Sequence, residues 1–160
     1  MSVYHHTQRA PLYWLLLVIG VVQFSVSFSL EPPWVRILLQ VTGSLFAVLA
    51  VSFKSLTVAD MNDSLSVRFG PLPVFGTRLP YANMSDVAAA RSSWIDGWGI
   101  HYIPGRGMTY NLWGFDCVEI DMNGRTVRVG TDDPEGLTDF LKGRIAAADA
   151  LSGPSQSSGR

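Results

Sequence analysis

Two long uncharged runs near the N-terminus, separated by a Glu-Pro-Pro segment at residues 31–33, constrain the fold of this chain more than any other feature. Residues 11–30 carry no formal charge, and residues 34–53 carry only Arg36, close to the start of the second run. A hydrocarbon core of about 30 Å is crossed by roughly 20 predominantly apolar residues in a helix. The pattern therefore predicts two transmembrane helices.

The segment between the runs predicts that the second helix returns antiparallel to the first. Proline disfavours helical geometry in the residue before it and lacks a backbone donor, so the first helix is expected to end near Leu30. Arg9 precedes the first run and Lys54 follows the second, whereas the connection carries Glu31. Because basic flanks favour the cytoplasmic side, this balance predicts both termini in the cytoplasm.

Four residues are candidates for packing within the predicted hairpin. If the chain turns about residue 32, Gly20 lies at the depth of Gly43 or Ser44, and Gln23 lies at the depth of Gln40 or Val41. Close contact between small residues and a Gln–Gln hydrogen bond both hold membrane helices together. The alternative is a polar site for a substrate or ion, but neither glutamine has an ionisable partner, which favours packing.

Two other interpretations of the uncharged runs are weaker. Arg9 and the Ser-Phe-Ser segment at residues 27–29 fit a cleaved signal peptide, but the run exceeds the usual signal core and a second run follows at once. Buried helices of a soluble protein normally carry a polar stripe, and here the polar residues are few and uncharged. A membrane anchor is therefore the favoured interpretation, with residues 1–10 as an N-terminal tail.

From Lys54 onward the hydrophobic period changes to two, which is typical of β-strands. The predicted strands are 54–60, 65–69, 74–79, 84–90, 108–112, 115–121 and 125–129. The Asn-Gly pair at 123–124 predicts a tight β-hairpin turn, and the Gly- and Pro-rich segment 97–107 predicts a loop. An Asp-Asp-Pro-Glu start signal predicts a helix over 133–148, and the polar residues 149–160 are expected to be disordered.

The stretch GWGIHYIPGRGMTYNLWGFDCVEIDMNGRTVRVGTDDPEGL, residues 97–137, resembles the C-terminal half of bacterial pleckstrin-homology-like (PH-like) domains found in small two-span membrane proteins. The GWGI opening, the Tyr-Asn pair, the Val-Glu-Ile strand and the Gly-Thr-Asp-Asp-Pro-Glu helix start match in order, and the Leu-x-Val-x-Phe-Gly strand at 65–70 also fits. The three alanines at 88–90 are weaker strand formers than the family pattern implies.

The resemblance implies an α+β protein of the bacterial inner membrane. Its transmembrane hairpin, residues 11–53, would be followed over residues 54–148 by a PH-like antiparallel β-barrel or sandwich of about seven strands with a C-terminal helix. This largely uncharacterised family brings no catalytic residues to transfer.

A cluster of aromatic and basic side chains is the candidate interaction surface: Trp94, Trp98, His101, Tyr102 and Arg106. Aromatic rings favour membrane interfaces and protein-binding patches, and nearby cations suit lipid phosphate or a partner's carboxylate. The alternative is that the rings fill a small core while the charges are solvated.

No catalytic, metal or cofactor site is predicted. Asp116, Glu119 and Asp121 follow strand alternation, which favours a solvated face, and Cys117 has no zinc-like spacing with a histidine. Residues 54–150 hold 9 basic and 12 acidic residues, which argues against nucleic-acid binding. The expectation is a non-enzymatic membrane protein, without a small-molecule substrate, that presents its β domain to a protein, its own copies or lipid. The alternative is an accessory subunit that binds a larger membrane complex through the hairpin.

Overall fold

The computed structural model describes residues 3–72, 74–93 and 97–152, and these form three helices and two β-sheets. The elements are β1 His5–Arg9, α1 Tyr13–Ser27, α2 Pro33–Ser52, β2 Ser55–Asp60, β3 Ser64–Gly70, β4 Gly76–Pro80, a 3-10 turn Tyr81–Asn83, β5 Met84–Arg91, β6 Gly99–Ile103, β7 Gly107–Asn111, β8 Asp116–Met122, β9 Thr126–Gly130 and α3 Pro134–Ser152. The predicted α+β class is confirmed.

The nine strands of the described residues form two sheets, and this corrects the prediction of about seven antiparallel strands. The first sheet has the order β1-β2-β3-β4 and is antiparallel throughout. The second sheet has the order β5-β8-β9-β7-β6, and β7 runs parallel to β9. Both additional strands lie at sheet edges, β1 in the predicted tail and β6 in the predicted loop.

Polar contacts hold β1 in place. Its sequence therefore lacks the alternating apolar pattern that predicts a strand. Gln8 is buried, and its Nε2 donates to the carbonyl of Trp113 at 3.0 Å. The Tyr4 hydroxyl donates to Asp133 Oδ2 at 3.1 Å, next to the start of α3. Strand β1 therefore joins the first sheet to the rest of the domain.

The pairing of β1 with β2 fixes where the two N-terminal helices leave and rejoin the domain. Arg9 lies opposite Ser55 and His5 lies opposite Ala59 in this antiparallel pair. Because β1 directly precedes α1 and β2 directly follows α2, the start of α1 and the end of α2 lie together at one end of the first sheet.

Helices α1 and α2 pack closely through small residues. A Cβ on Gly20 would lie 2.7 Å from the carbonyl oxygen of Gly43, and one on Gly43 would lie 2.8 Å from that of Gly20. Gly20 also faces Ala47 while Gly43 faces Phe24, so the contacts run in opposite directions along the two helices. Only glycine at both positions permits this approach.

The predicted Gln–Gln hydrogen bond is not formed in the described part of the chain. Gln23 and Gln40 are half-buried, and Gln23 Oε1 is buried without a partner. Gly20 and Gly43 lie against each other's carbonyl oxygens and against the backbone of Ala47 and Phe24, so the approach is set by backbone contact and does not depend on the glutamines.

The hydrophobic core lies between the two sheets and α3. Alternate residues of the central strands point inward, as the period-two pattern predicts. Its largest fully buried apolar side chains are Leu56, Val58, Leu65, Val67, Phe69, Val118, Ile120, Val129, Leu137 and Leu141.

Asp133, the second aspartate of the Asp-Asp-Pro-Glu start signal, caps α3. Its Oδ1 accepts a hydrogen bond from the amide of Gly136 at 3.2 Å, and Pro134 follows as the first helical residue. The helix continues to Ser152, so the predicted boundary at 148 is wrong by a turn, and residues 149–152 of the predicted disordered tail are helical. Residues 153–160 lie outside the described part.

Candidate interaction surfaces

The predicted aromatic and basic cluster is spread along the edge strand β6 rather than gathered in one patch. Trp98 immediately precedes the strand, His101 and Tyr102 lie within it, and Arg106 lies in the turn that leads to β7. Trp94 lies outside the described residues. The described members of the cluster therefore lie in three different places: before β6, within β6 and in the turn after it.

Trp98 lies at the junction between the helix pair and the β domain. Its ring stacks on Trp113 with centroids 4.6 Å apart, and its Nε1 donates to the carbonyl of Gly114 at 3.1 Å. It borders an apolar cavity of about 220 Å³, here named the junction cavity. The cavity is lined by Leu12, Tyr13, Leu16, Leu49, Phe53, Trp98, Gly99 and Leu112. Trp98 therefore faces the ends of α1 and α2.

Tyr102 and Arg106 lie toward the opposite end of β6. The Tyr102 side chain is 67% exposed and lies opposite Met108 on the neighbouring strand. The carbonyl of Arg106 accepts a hydrogen bond from Arg128 Nη1 at 2.6 Å, which ties the turn to β9. Gly107 follows with φ +91°, and a Cβ there would overlap the carbonyl oxygen of Thr126.

His101 lies between these ends with a half-buried ring. Its Nε2 is buried and lacks a hydrogen-bond partner among the described residues. Gly97 approaches the ring closely, since a Cβ there would lie 3.6 Å from His101 Cε1. Of the predicted cluster, Tyr102 is thus the most accessible described member.

The carboxylates of β8 serve ion pairs and a turn. Glu119 Oε2 lies 2.7 Å from Arg128 Nη2, and Asp116 Oδ1 lies 3.8 Å from Arg91 Nε. Asp121 Oδ1 accepts from the amide of Gly124 at 2.6 Å and so stabilises the Asn-Gly turn. Within the described ranges, no three His, Cys, Asp or Glu residues converge as metal ligands.

The outer surface of the helix pair is strongly apolar. Helix α2 has 20 residues, or about 30 Å of helix, and among the described helices it alone is long and apolar enough to span a membrane. Helix α1 is also apolar, but its 15 residues reach only about 22 Å. Large apolar side chains are exposed on both helices: Leu15, Val18, Val21, Val22, Ile37, Leu38, Val41 and Leu45. Such a surface is typical of protein or membrane contact.

A basic groove that the sequence did not reveal lies on the outer face of the first sheet. We name it the sheet groove; it has a volume of about 720 Å³. It is lined by His5, Thr57, Ala59, Asp60, Met61, Ser66, Arg68, Val74, Phe75, Gly76, Thr77 and Arg78. The only signal in the sequence was that Arg68 and Arg78 alternate with core residues on their strands.

A buried polar cluster lies where α3 meets the first sheet. Asp60, whose side chain is 3% exposed, accepts hydrogen bonds from Arg144 and from the Tyr81 hydroxyl, the latter at 2.9 Å. Burial alone raises the pKa of Asp60, but the hydrogen bonds from Tyr81 and Arg144 outweigh it and leave the pKa below its usual value. Burial and the adjacent Asp60 carboxylate raise the pKa of Tyr81. The cluster therefore stabilises the packing of α3 against the first sheet.

Comparison with known proteins finds no protein-family model and no curated protein that matches this chain.

Proposed function

We propose that this chain is a non-enzymatic integral membrane protein whose two N-terminal helices anchor a β domain at the membrane surface, where the domain binds a protein or lipid. The observation that carries the proposal is the apolar outer surface of the helix pair, on which Val41 is 61% exposed. In water this surface would drive aggregation, whereas in lipid it is the favourable state.

The pairing of β1 with β2 supports a transmembrane hairpin rather than a single span. A single crossing would place β1 and β2 on opposite sides of the bilayer, which is incompatible with their ladder. Helix α1 is shorter than α2, but apolar residues at both its ends, including Leu12 and Phe28, extend the segment available to the bilayer.

Aromatic and basic residues at the helix ends support the proposed position of the hairpin across the bilayer. Tyr13 and Trp14 mark the end near the β domain, and Trp34 marks the far end. Lys54 Nζ lies 5.4 Å above the ring of Tyr13, a cation–π contact at the level expected for head groups. With Arg9 and Lys54 both on the domain side, the proposed location of the domain and both termini is the cytoplasm.

The PH-like identity of the domain is part of the same proposal. Two sheets followed by a C-terminal helix packed on β5 and β8 are compatible with it. The parallel pairing of β7 with β9 and the added edge strands depart from an antiparallel barrel.

Cysteine labelling of the full-length chain in intact cells tests the spanning arrangement. Ser29→Cys lies in the connection between α1 and α2, and Met61→Cys lies in the β2–β3 turn of the domain. We expect a membrane-impermeant maleimide to label the Ser29→Cys variant from outside, and the Met61→Cys variant only after lysis. Labelling of both positions from the same side would refute the crossing, and the wild type, whose Cys117 is buried, is the control.

A second candidate function is an accessory subunit that binds another membrane protein through the hairpin. Gln23 favours it because its half-buried amide forms no hydrogen bond with Gln40 in the described residues, and polar side chains of membrane helices associate with polar groups of neighbouring helices. Gly20 and Gly43 are already occupied by each other and are not available to a third helix. In that case Gln23→Leu abolishes partner co-purification from membranes, while Gln40→Leu does so only if both glutamines face the partner.

A further inference from the structure

The sheet groove is formed by small side chains flanked by arginines. In one row across the sheet, Ala59 lies opposite Ser66, which lies opposite Arg78. In the next row on the same face, Thr57 lies opposite Arg68. Because the central residues are short, the arginine side chains border an open volume of about 720 Å³, within the size range of ligand sites.

The charge of the groove is positive and unneutralised. Neither Arg68 nor Arg78 forms an ion pair or side-chain hydrogen bond in the part of the chain that the structure describes. Asp60 also lines the groove, but its carboxylate is engaged by Arg144 and Tyr81. The groove therefore complements an anion.

Arg68 and Arg78 are spaced so that both side chains can bind one anionic group. Arg68 lies opposite Gly76, and Arg78 lies two residues further along the same strand, which makes the arginines diagonal neighbours. Diagonal positions are about 7–8 Å apart between backbones, within reach of two long side chains that converge on one phosphate. Arginine suits this role because its planar fork binds phosphate oxygens in pairs.

One end of the groove opens beside the helix pair. Phe75 lines the groove, and its ring centroid lies 5.3 Å from that of Phe53, the residue that follows α2. The same β3–β4 loop exposes Leu72 and Val74, the latter by 62%. Exposed apolar side chains next to basic ones are typical of a segment that inserts at the level of lipid head groups.

We infer that the sheet groove binds the phosphate-bearing head group of an anionic glycerophospholipid in the leaflet that adjoins the β domain. This inference rests on the proposed membrane anchor, which brings the β3–β4 loop to the surface. Arg68 and Arg78 donate to the phosphate oxygens, and Leu72 and Val74 contact the upper acyl chains.

The inference is tested by binding of short-chain lipids to the full-length protein in an uncharged detergent. The probes are dihexanoyl phosphatidylglycerol, dihexanoyl phosphatidylcholine, inorganic phosphate and a glutamate decapeptide, each followed by thermophoresis. The test variant is Arg68→Gln/Arg78→Gln. The control is Arg91→Gln/Arg125→Gln, which removes the same charge from exposed positions of the second sheet and its β8–β9 turn.

We expect the anionic lipid to bind more tightly than the other three probes, and the test variant to lose at least about tenfold in affinity while the control keeps it. Equal affinity for the zwitterionic lipid, or equal loss in the control, would overturn the inference. Inorganic phosphate that binds as tightly would identify a free-phosphate site, and a tighter peptide would identify an acidic-protein site; both outcomes refute a lipid ligand. Since binding is measured in micelles, its failure is separable from failure of the crossing, which maleimide labelling of the Ser29→Cys variant reports.

Discussion

Removing the charge of Asp60 is the sharpest test of how α3 is held on the first sheet. The side chains of Asp60 and Arg144 are 3% and 13% exposed, so the pair is largely shielded from solvent. Losing one partner of a buried pair costs about 3–5 kcal/mol, because the other charge stays buried without compensation. Arg144 keeps cation–π contacts with Tyr81 and Phe140, at 5.5 and 5.4 Å from the ring centroids. We therefore expect Asp60→Asn to cost about 3 kcal/mol.

A double-mutant cycle separates the energetic coupling between Asp60 and Arg144 from the independent effect of each substitution on stability. Arg144→Met removes the cation while retaining an apolar stem, and Asp60 then keeps its bond from Tyr81. We expect the double variant Asp60→Asn/Arg144→Met to be more stable than the sum of the single costs predicts, by about 1–3 kcal/mol. Thermal unfolding in detergent, followed by tryptophan fluorescence, measures the three variants and the wild type. For a domain of this size, the single Asp60 variant should lower Tm by more than about 10 °C.

The pH dependence of folding stability gives an independent check of the contribution of Asp60, and the sign of the expected change is defined. The folded-state pKa of Asp60 is lowered, so its contribution to stability is present above the unfolded value of about 3.9 and is lost as pH falls through the folded value. The gap in Tm between wild type and Asp60→Asn should therefore close below about pH 4. Asp63→Asn, at an exposed position of the β2–β3 turn that follows Asp60, is the matched control and should change stability by less than about 0.5 kcal/mol. A Tm for Asp60→Asn within the range of this control, or additive costs of the single substitutions, would refute the stabilising role of the Asp60–Arg144 pair.

The remaining predictions concern the helix pair and the surface of β6. Gly20→Ala should destabilise the pair by about 1–3 kcal/mol, because the new methyl would lie 2.7 Å from the carbonyl of Gly43; unfolding in detergent measures it. Gly143→Ala, in α3 with open space around it, should instead stabilise by up to about 1 kcal/mol in the same assay. Tyr102→Ala should leave Tm unchanged and reduce crosslinking to a partner in native membranes, whereas Trp98→Ala should lower Tm because it opens the junction; unchanged crosslinking for Tyr102→Ala would exclude this surface.

Much of the fold was predictable wherever hydrophobic residues alternate on a single strand. Leu65, Val67 and Phe69 alternate in sequence and are fully buried in β3. Strand β6 escaped prediction because it is an edge strand between glycine-rich turns, and edge strands need little apolar pattern. Strand β1 escaped for a different reason, since its only deeply buried side chain is the glutamine at position 8.

The candidate surfaces were less predictable because they depend on register between strands. Trp98, just before β6, belongs to the junction with the helices, whereas Tyr102 lies toward the far end of β6, although the sequence places them four residues apart. Arg68 and Arg78 come together only because β3 and β4 pair in one particular register. No local pattern carries that information.

The ladder between β1 and β2 has a consequence for how the chain is made. During translation the β1 segment leaves the ribosome long before β2. His5 can pair only after Ala59, 54 positions later, has been synthesised. A flexible loop of that length would make closure entropically costly. Under the proposed membrane anchor, insertion of the intervening helices as a compact antiparallel unit would bring the two strand segments side by side before the domain folds. The translocon step would then act as the nucleation step for the first sheet, and the domain would assemble from the membrane outward.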